Sequence, residues 1–93
     1  MLDLFSPITL GSYELQNRIV MAPMTRNRAN KDGIVQAMNV LYYAQRASAG
    51  LIITEGSPIS PQAVGYPNIP GIFNQEQVKA WQKVTQAVHE KGG

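Results

Sequence analysis

The sequence contains no cysteine, which excludes a disulfide framework and any metal site built from thiolates. Histidine is almost as scarce. The single one, His89, falls in the last turn of a predicted helix, where positive charge complements the helix dipole. We interpret it as a solvated helix-end residue and not as a catalyst, and we expect no metal.

Charge of one sign is also in short supply. The 8 basic and 6 acidic residues leave a formal net charge of +2, too little to indicate a nucleic-acid or membrane partner. No apolar run is long enough to span a membrane, and the start of the chain lacks the features of a signal peptide, so we expect a cytoplasmic protein. The basic residues that do cluster are Arg18, Arg26, Arg28 and Lys31. They would suit an anion, although a solvated or ion-paired face is the simpler interpretation.

Several familiar motifs are missing as well. The chain has no Gly-x-Gly-x-x-Gly, no phosphate-binding loop and no serine-nucleophile elbow. What it does have is a hydrophobic content of 44%, which is enough apolar surface for a folded chain.

The order of elements predicts an α/β fold. Residues 4–15 alternate apolar and polar side chains around a Gly-Ser turn, which predicts a β-hairpin. Residues 19–22 are apolar on both faces, which is typical of a parallel strand covered on both sides, and Pro23 should end that strand.

A helix and a second strand follow the Asp-Gly loop that ends at Gly33. The predicted buried stripe of the helix consists of Ile34, Ala37, Met38, Leu41, Ala44 and Ala47. Gly50 is placed to cap its carboxyl end, and residues 51–54 form the next apolar strand. A strand–helix–strand unit of this length predicts two parallel neighbours, so their carboxyl ends should share one edge.

The second strand leads into a long loop and a last helix. Residues 57–71 are rich in proline and glycine, and ordered loops of this length at such an edge are usually functional. Asn74 and Gln77 have the spacing of a capping box, and Gly92 is placed to end the helix. The predicted buried stripe of this helix consists of Val78, Trp81, Val84 and Val88. The order hairpin, strand, helix, strand, helix leaves a sheet with open edges, so we expect an incomplete α/β fold.

Three residues near the shared edge are candidates for binding, and each has a plainer interpretation. Thr25 could hydrogen-bond a planar ligand or merely cap a turn, and Gly56 could admit a ligand or merely form a turn. Tyr66 could cover a ligand or pack within its loop. We also hypothesise that Glu55 forms an ion pair with Arg26.

Four segments of the chain closely resemble the amino-terminal part of the old yellow enzyme family. They are residues 4–11 (LFSPITLG), 17–26 (NRIVMAPMTR), 42–55 (YYAQRASAGLIITE) and 65–71 (GYPNIPG), in the order and at the spacing of the family. The resemblance implies a (β/α)8 TIM barrel of which this chain forms the first two βα units after an amino-terminal hairpin. The parts would be a hairpin cap at 1–17, a first unit at 18–50 and a second unit at 51–93, which leaves the barrel incomplete.

The resemblance also implies an activity and a set of site residues. Members of the family are FMN-dependent NAD(P)H oxidoreductases that reduce α,β-unsaturated substrates such as enones by hydride transfer through the flavin. The segment that lies along the flavin would be Ala22, Pro23, Met24 and Thr25, with Gly56 admitting the ring and Tyr66 lining the substrate pocket. No catalytic residue is expected in this chain, since the family's proton-donating tyrosine and substrate-holding histidine pair would lie beyond residue 93.

We therefore expect a fragment that supplies one wall of a flavin site and is inactive alone. Its partners would be a small unsaturated substrate and a complementary barrel fragment or second copy of the chain, with no nucleic acid and no membrane. The alternative is a non-catalytic βαβα module that completes another chain's barrel. A weaker alternative is an anion-binding module that uses Arg26, Arg28 and Lys31.

Overall fold

A hairpin followed by two strand–helix pairs makes up the chain, as seen in a computed structural model that describes residues 2–93. The elements are β1 (Ile8–Leu10), β2 (Tyr13–Leu15), β3 (Val20–Met21), α1 (Ala37–Ala44), β4 (Leu51–Ile52), a 3₁₀ turn (Pro61–Ala63) and α2 (Gln75–Glu90). Among residues 2–93, no helix combines the length and the apolar character that crossing a membrane requires.

The predicted hairpin is confirmed. β1 and β2 pair antiparallel, with Ile8 opposite Leu15 and Leu10 opposite Tyr13. The turn between them places Gly11 at a φ of 60°, a left-handed conformation that glycine adopts at little cost. A backbone hydrogen bond of 2.8 Å from the Arg18 N–H to the Leu4 carbonyl ties the hairpin segment to the strand that follows.

The predicted parallel pair is also confirmed, although the strands are shorter than expected. β3 and β4 pair with Val20 beside Leu51 and Met21 beside Ile52. The N–H of Ile53 still donates to the Met21 carbonyl at 3.1 Å, which extends the ladder by one bond. Both strands therefore deliver their carboxyl ends to the same edge of the sheet.

The two helices cover only one face of this sheet. Met21 and Ile52 pack against a core cluster formed by Val35, Tyr43, Ala47, Ala80, Trp81, Val84 and Val88. Side chains alternate between the faces of a strand, so Val20 and Ile53 lie on the other face, where both are exposed. The expectation of a β3 covered on both sides is therefore wrong for the residues described, because no element among them packs on that second face.

The predicted buried stripe of α1 is partly wrong. Met38 and Leu41 are 63% and 57% exposed, whereas Tyr43 is only 1% exposed. The helix is rotated so that Asn39 and Tyr43, which are four residues apart, point toward the core, and Ala47, in the turn after the helix, is buried as well. A polar side chain is accepted there because Asn39 Oδ1 accepts a 2.8 Å hydrogen bond from the Gln36 N–H at the start of the helix.

Gly50 does not cap α1, contrary to the prediction. The helix ends at Ala44, and Gly50 is not among the residues with positive φ. A Cβ atom at Gly50 would overlap the backbone of Asn17, and the Gly50 N–H donates to the Ile19 carbonyl at 2.8 Å. Glycine is needed here because the chain passes close to the backbone of Asn17 and leaves no room for a side chain. A helix cap also favours glycine, so the sequence alone does not distinguish the two roles.

The limits of α2 are confirmed, with one change. Asn74 Oδ1 accepts from the Gln77 N–H at 2.8 Å, and Gly92 follows the helix at a φ of 86°. The return half of the capping box is replaced, since Gln77 Oε1 accepts from the Phe73 N–H at 2.9 Å instead of from Asn74. Trp81, Val84 and Val88 are buried as predicted, whereas Val78 is only half-buried.

Candidate functional site

The carboxyl edge of the two-stranded sheet brings the predicted cofactor residues to one side of the molecule. Residues 22–25 continue from β3 as an exposed segment outside any helix or strand. Gly56 lies four residues after Ile52, the last residue of β4, and is also exposed. Ala22 and Ile53 lie one step beyond the Met21–Ile52 pair, so the two segments begin side by side.

The exposed surface next to this edge is apolar. Val20, Met24 and Ile53 all expose a large part of their side chains. In a chain of this size such a surface is open to a ligand or to another layer of protein. Ligand sites are lined mainly by apolar side chains with a few polar groups, so this surface could contact one side of a largely apolar ligand.

Gly56 has free space where a side chain would project. A Cβ atom added there meets no other atom within 4 Å, so neither a turn conformation nor neighbouring protein requires glycine at this position. The simple turn interpretation is therefore not supported by its backbone, and the position is open for close approach of a ligand to the main chain.

Glu55 does not form the hypothesised ion pair with Arg26. Its side chain, only 2% exposed, accepts a 2.8 Å hydrogen bond at Oε2 from the Tyr43 hydroxyl. The Glu55 N–H in turn donates to the Tyr43 oxygen at 3.1 Å. The Arg26 guanidinium lies 5.6 Å from the centre of the Tyr42 ring instead.

Tyr43 is the residue at this edge that sequence reasoning missed. Burial, and after it the hydrogen bond and charge of Glu55, raises the pKa of its phenol above the ordinary value of 10.0. The hydroxyl therefore keeps its proton, and its hydrogen bond to Glu55, to a higher pH than an ordinary tyrosine would. The available signal was its position four residues before Ala47, on the stripe that the helix buries.

Tyr66 lies on the long loop and is 66% exposed. It borders a cavity of about 230 Å³ together with Lys31 and Phe73. Among residues 2–93, neither residues 22–25 nor Gly56 line this cavity, so the structure does not bring Tyr66 into one pocket with them.

Hydrogen bonds hold the Tyr66 loop against the loop that follows β3. Asn27 Nδ2 donates to the Pro67 carbonyl at 2.8 Å, and the Ala29 N–H donates to the Asn68 carbonyl at 3.1 Å. These long-range bonds hold the residues that follow Tyr66 against residues 27 and 29.

The basic cluster does not converge on a common point. Arg18 donates through its guanidinium to the Pro7 carbonyl at 3.3 Å, and Arg28 donates to the Arg26 carbonyl at 3.1 Å. Arg26 stacks on Tyr42, while Lys31 borders the Tyr66 cavity. Separate backbone and aromatic partners do not make an anion site.

A larger cavity, of about 420 Å³, runs along β4 between the hairpin and the carboxyl half of α2. Leu10, Ile52, Val84 and Val88 are among its apolar lining residues. Leu51 and Ile53 direct their N–H groups toward β3, so Ile52 directs its backbone polar groups to the opposite edge, beside this cavity.

Comparison with known proteins identifies the family to which this edge belongs. The family described as NADH:flavin oxidoreductase / NADH oxidase matches residues 3–93. The chain is 50% identical over 91 residues to 12-oxophytodienoate reductase 7 of Oryza sativa subsp. japonica, and this match covers 97% of the chain and 23% of the relative.

Two solved structures agree with this match. The old yellow enzyme homologue from Zymomonas mobilis is 51% identical with a TM-score of 0.95, and the match covers 99% of this chain and 26% of that one. Morphinone reductase in complex with tetrahydroNAD is 49% identical with a TM-score of 0.94, with 100% and 25% covered.

These matches confirm the resemblance seen in the sequence. The chain spans about a quarter of the length of these relatives, as a partial α/β fragment of their TIM barrels. With the family model covering nearly every residue, the chain belongs to the NADH:flavin oxidoreductase / NADH oxidase family, which includes the old yellow enzymes.

Proposed function

We propose that this chain forms one wall of the FMN site in an oxidoreductase that uses NAD(P)H to reduce activated alkenes such as enones. The observation that carries the proposal is the pairing, at one sheet edge, of the exposed segment 22–25 with Gly56, whose side-chain position is empty. Ligands of parallel α/β folds bind at this end of the strands.

The residues at the edge fit a flavin ring. Ala22, Pro23 and Met24 would lie along the ring, since they are exposed and follow β3 directly. Thr25, also exposed, would donate its hydroxyl hydrogen to a ring carbonyl, and the open space at Gly56 would let the ring approach the backbone. When bound, FMN supplies the hydride-transfer chemistry, while these residues orient it and exclude water from one side.

Tyr66 would line the substrate pocket. Its exposure and the two hydrogen bonds that hold its loop against the loop following β3, at Asn27 and Ala29, support this role. The cavity that Tyr66 borders does not include residues 22–25 or Gly56. Further protein would therefore be needed to hold the substrate between Tyr66 and the flavin. The name 12-oxophytodienoate reductase supports an unsaturated carbonyl compound as the class of substrate.

The whole site would need residues that these 93 do not provide. The resemblance implies a histidine pair that holds the substrate, and this sequence contains a single histidine, which is exposed at the end of α2. We expect the chain alone to bind FMN but not to catalyse the reduction of a substrate. In the complete barrel, residues 1–17 would form the bottom cap, and residues 18–50 and 51–93 the first two βα units.

A complementary barrel fragment or a second copy of the chain would complete the fold. The apolar cavity beside the free edge of β4 supports this, because an added strand there would bury apolar surface and pair the polar groups of Ile52. The alternative is a module that completes another barrel without binding flavin. FMN binding by the assembled protein separates the two possibilities.

The experiment compares Gly56→Ala with Gly65→Ala. Both glycines have free space around an added Cβ and neither has a positive φ, so we expect both variants to keep the stability of the wild type to within about 0.5 kcal/mol. Quenching of flavin fluorescence should show at least a tenfold loss of FMN affinity for Gly56→Ala and little change for Gly65→Ala. Equal affinity in all three proteins would refute the proposed position of the ring.

A further inference from the structure

Tyr43 and Glu55 hold each other through two hydrogen bonds inside the protein. The hydroxyl of Tyr43 donates to Glu55 Oε2 at 2.8 Å and accepts from the Glu55 backbone N–H at 3.1 Å. Both side chains are buried, and Glu55 Oε1 has no hydrogen-bond partner among the residues that the structure describes. One phenol oxygen thus fixes both the main chain and the side chain of the same residue.

The Tyr43 ring is itself held in place by aromatic packing. Its centre lies 5.9 Å from that of Trp81 on α2 and 5.1 Å from that of Tyr42, which meets it edge on. Tyr43 belongs to the same core cluster as Trp81, Val84 and Val88. The position of its hydroxyl is therefore set by the core and not by the loop that it contacts.

The hydrogen bond from the Glu55 N–H to Tyr43 lies beyond the last hydrogen bond of the sheet. β4 ends at Ile52, and the last ladder bond runs from the Ile53 N–H to the Met21 carbonyl. Two residues later the chain reaches Glu55, and Gly56 comes next. Among residues 2–93, the side-chain hydrogen bonds of Thr54 and Ser57 go to the Glu55 carbonyl, so the hydrogen bonds from this segment to the core run through Tyr43.

We propose that Tyr43 is a positioning residue for the flavin site: by clamping Glu55 it fixes the backbone of Gly56 at the distance that the ring requires. This inference rests on the proposed function, since it takes Gly56 as the point of closest approach. Tyr43 acts through Glu55 and makes no contact with the ring.

The test compares Tyr43→Phe with Tyr42→Phe in the purified protein, with FMN itself as the probe. The two tyrosines are neighbours on α1, and each change removes the hydroxyl of one of them while keeping its aromatic ring. Tyr43→Phe should weaken FMN affinity by roughly fivefold to thirtyfold, the effect of losing one or two hydrogen bonds. It should also shift the visible absorption spectrum of the bound flavin, which a loss of stability alone would not do. Tyr42→Phe should leave both unchanged.

Amide hydrogen exchange provides a second readout that needs no flavin. In the wild type the Glu55 N–H should exchange slowly, like that of Ile53, because it donates to a buried oxygen. Tyr43→Phe should speed exchange at Glu55 by at least tenfold more than at Ile53. Rapid exchange at Glu55 in the wild type would overturn the clamp even if the variant failed to fold.

The outcomes separate this inference from the proposed function. A wild-type protein that binds no FMN would overturn the proposed function and the positioning role together. A wild type that binds FMN, with Tyr43→Phe binding as tightly and giving the same spectrum, would overturn the positioning role alone.

Discussion

Replacing Gln77 with alanine removes a side chain that joins three separate stretches of the fold. Gln77 is 0% exposed. Its Oε1 accepts from the Phe73 N–H at 2.9 Å, and its Nε2 donates to the Asp32 carbonyl at 3.1 Å. One amide thus connects α2 both to the end of the long loop and to the loop before α1.

The expected cost follows from the two backbone groups that lose their partner. Both bonds are only partly buried. At a net value of about 0.5–1.5 kcal/mol for each bond, Gln77→Ala should lower the free energy of unfolding by roughly 1–3 kcal/mol. The bond from the Gln77 N–H to Asn74 Oδ1 involves the backbone and survives the change, so the helix should keep its amino-terminal cap.

Urea unfolding measures this cost, followed by circular dichroism and by the fluorescence of Trp81, the single tryptophan. Gln82→Ala is the matched control, because Gln82 lies on the same helix and is exposed. Its effect should stay within about 0.5 kcal/mol. If the two variants lose the same stability, the amide of Gln77 does not hold the loops as described.

Two further changes test other parts of the fold. Gly50→Ala should lower the free energy of unfolding by about 1–3 kcal/mol, because a Cβ there would overlap the Asn17 backbone; a urea midpoint like that of Gly65→Ala would contradict this. Burial, and to a smaller extent the side chain of Glu55, raises the pKa of Tyr43 above 10.0 in the folded chain. The unfolded chain therefore loses this proton at a lower pH than the folded chain, and the free energy of unfolding should fall as the pH rises above about 10. Urea unfolding at about pH 9 and about pH 11 measures this fall in the free energy of unfolding. The fall should be smaller in Tyr43→Phe than in the wild type, by up to about 1.4 kcal/mol per pH unit, and an equal fall in both proteins would argue against the raised pKa.

The parts of the fold that the sequence predicted are those determined by neighbouring residues. Alternation of side chains around Gly11 marked the hairpin, and the apolar runs on either side of α1 marked two parallel strands. Parallel pairing then placed Thr25 and Gly56 at one edge without any knowledge of side-chain contacts. A strand's direction fixes where it ends, so the sequence could predict which residues share this edge of the sheet.

The errors arose where a distant partner decides the role of a residue. Met38 and Leu41 are apolar but exposed, because α1 turns Tyr43 inward to meet Glu55 and Trp81. Hydropathy ranks a tyrosine below leucine, and only the tertiary structure shows that its hydroxyl has a buried partner. Local pattern therefore predicted the helix but not its orientation.

Gln77 shows the same limit for a polar residue. Its spacing from Asn74 fits a capping box, and half of that box is present. The side chain instead joins Phe73 to Asp32, which lies 45 residues earlier in the chain. No pattern within one helix contains information about a partner so far away.

The same long-range bonds explain how a two-stranded sheet can present an ordered edge. β3 and β4 have two residues each, too few to fix the segments that extend beyond them. Those segments are held from the helix side, by Tyr43 at Glu55, and through the loops, by Asn27 at Pro67. The position of the proposed flavin wall is therefore set by side chains behind it, and changes at Tyr43 or Asn27 should alter the site while the strand pairing stays intact.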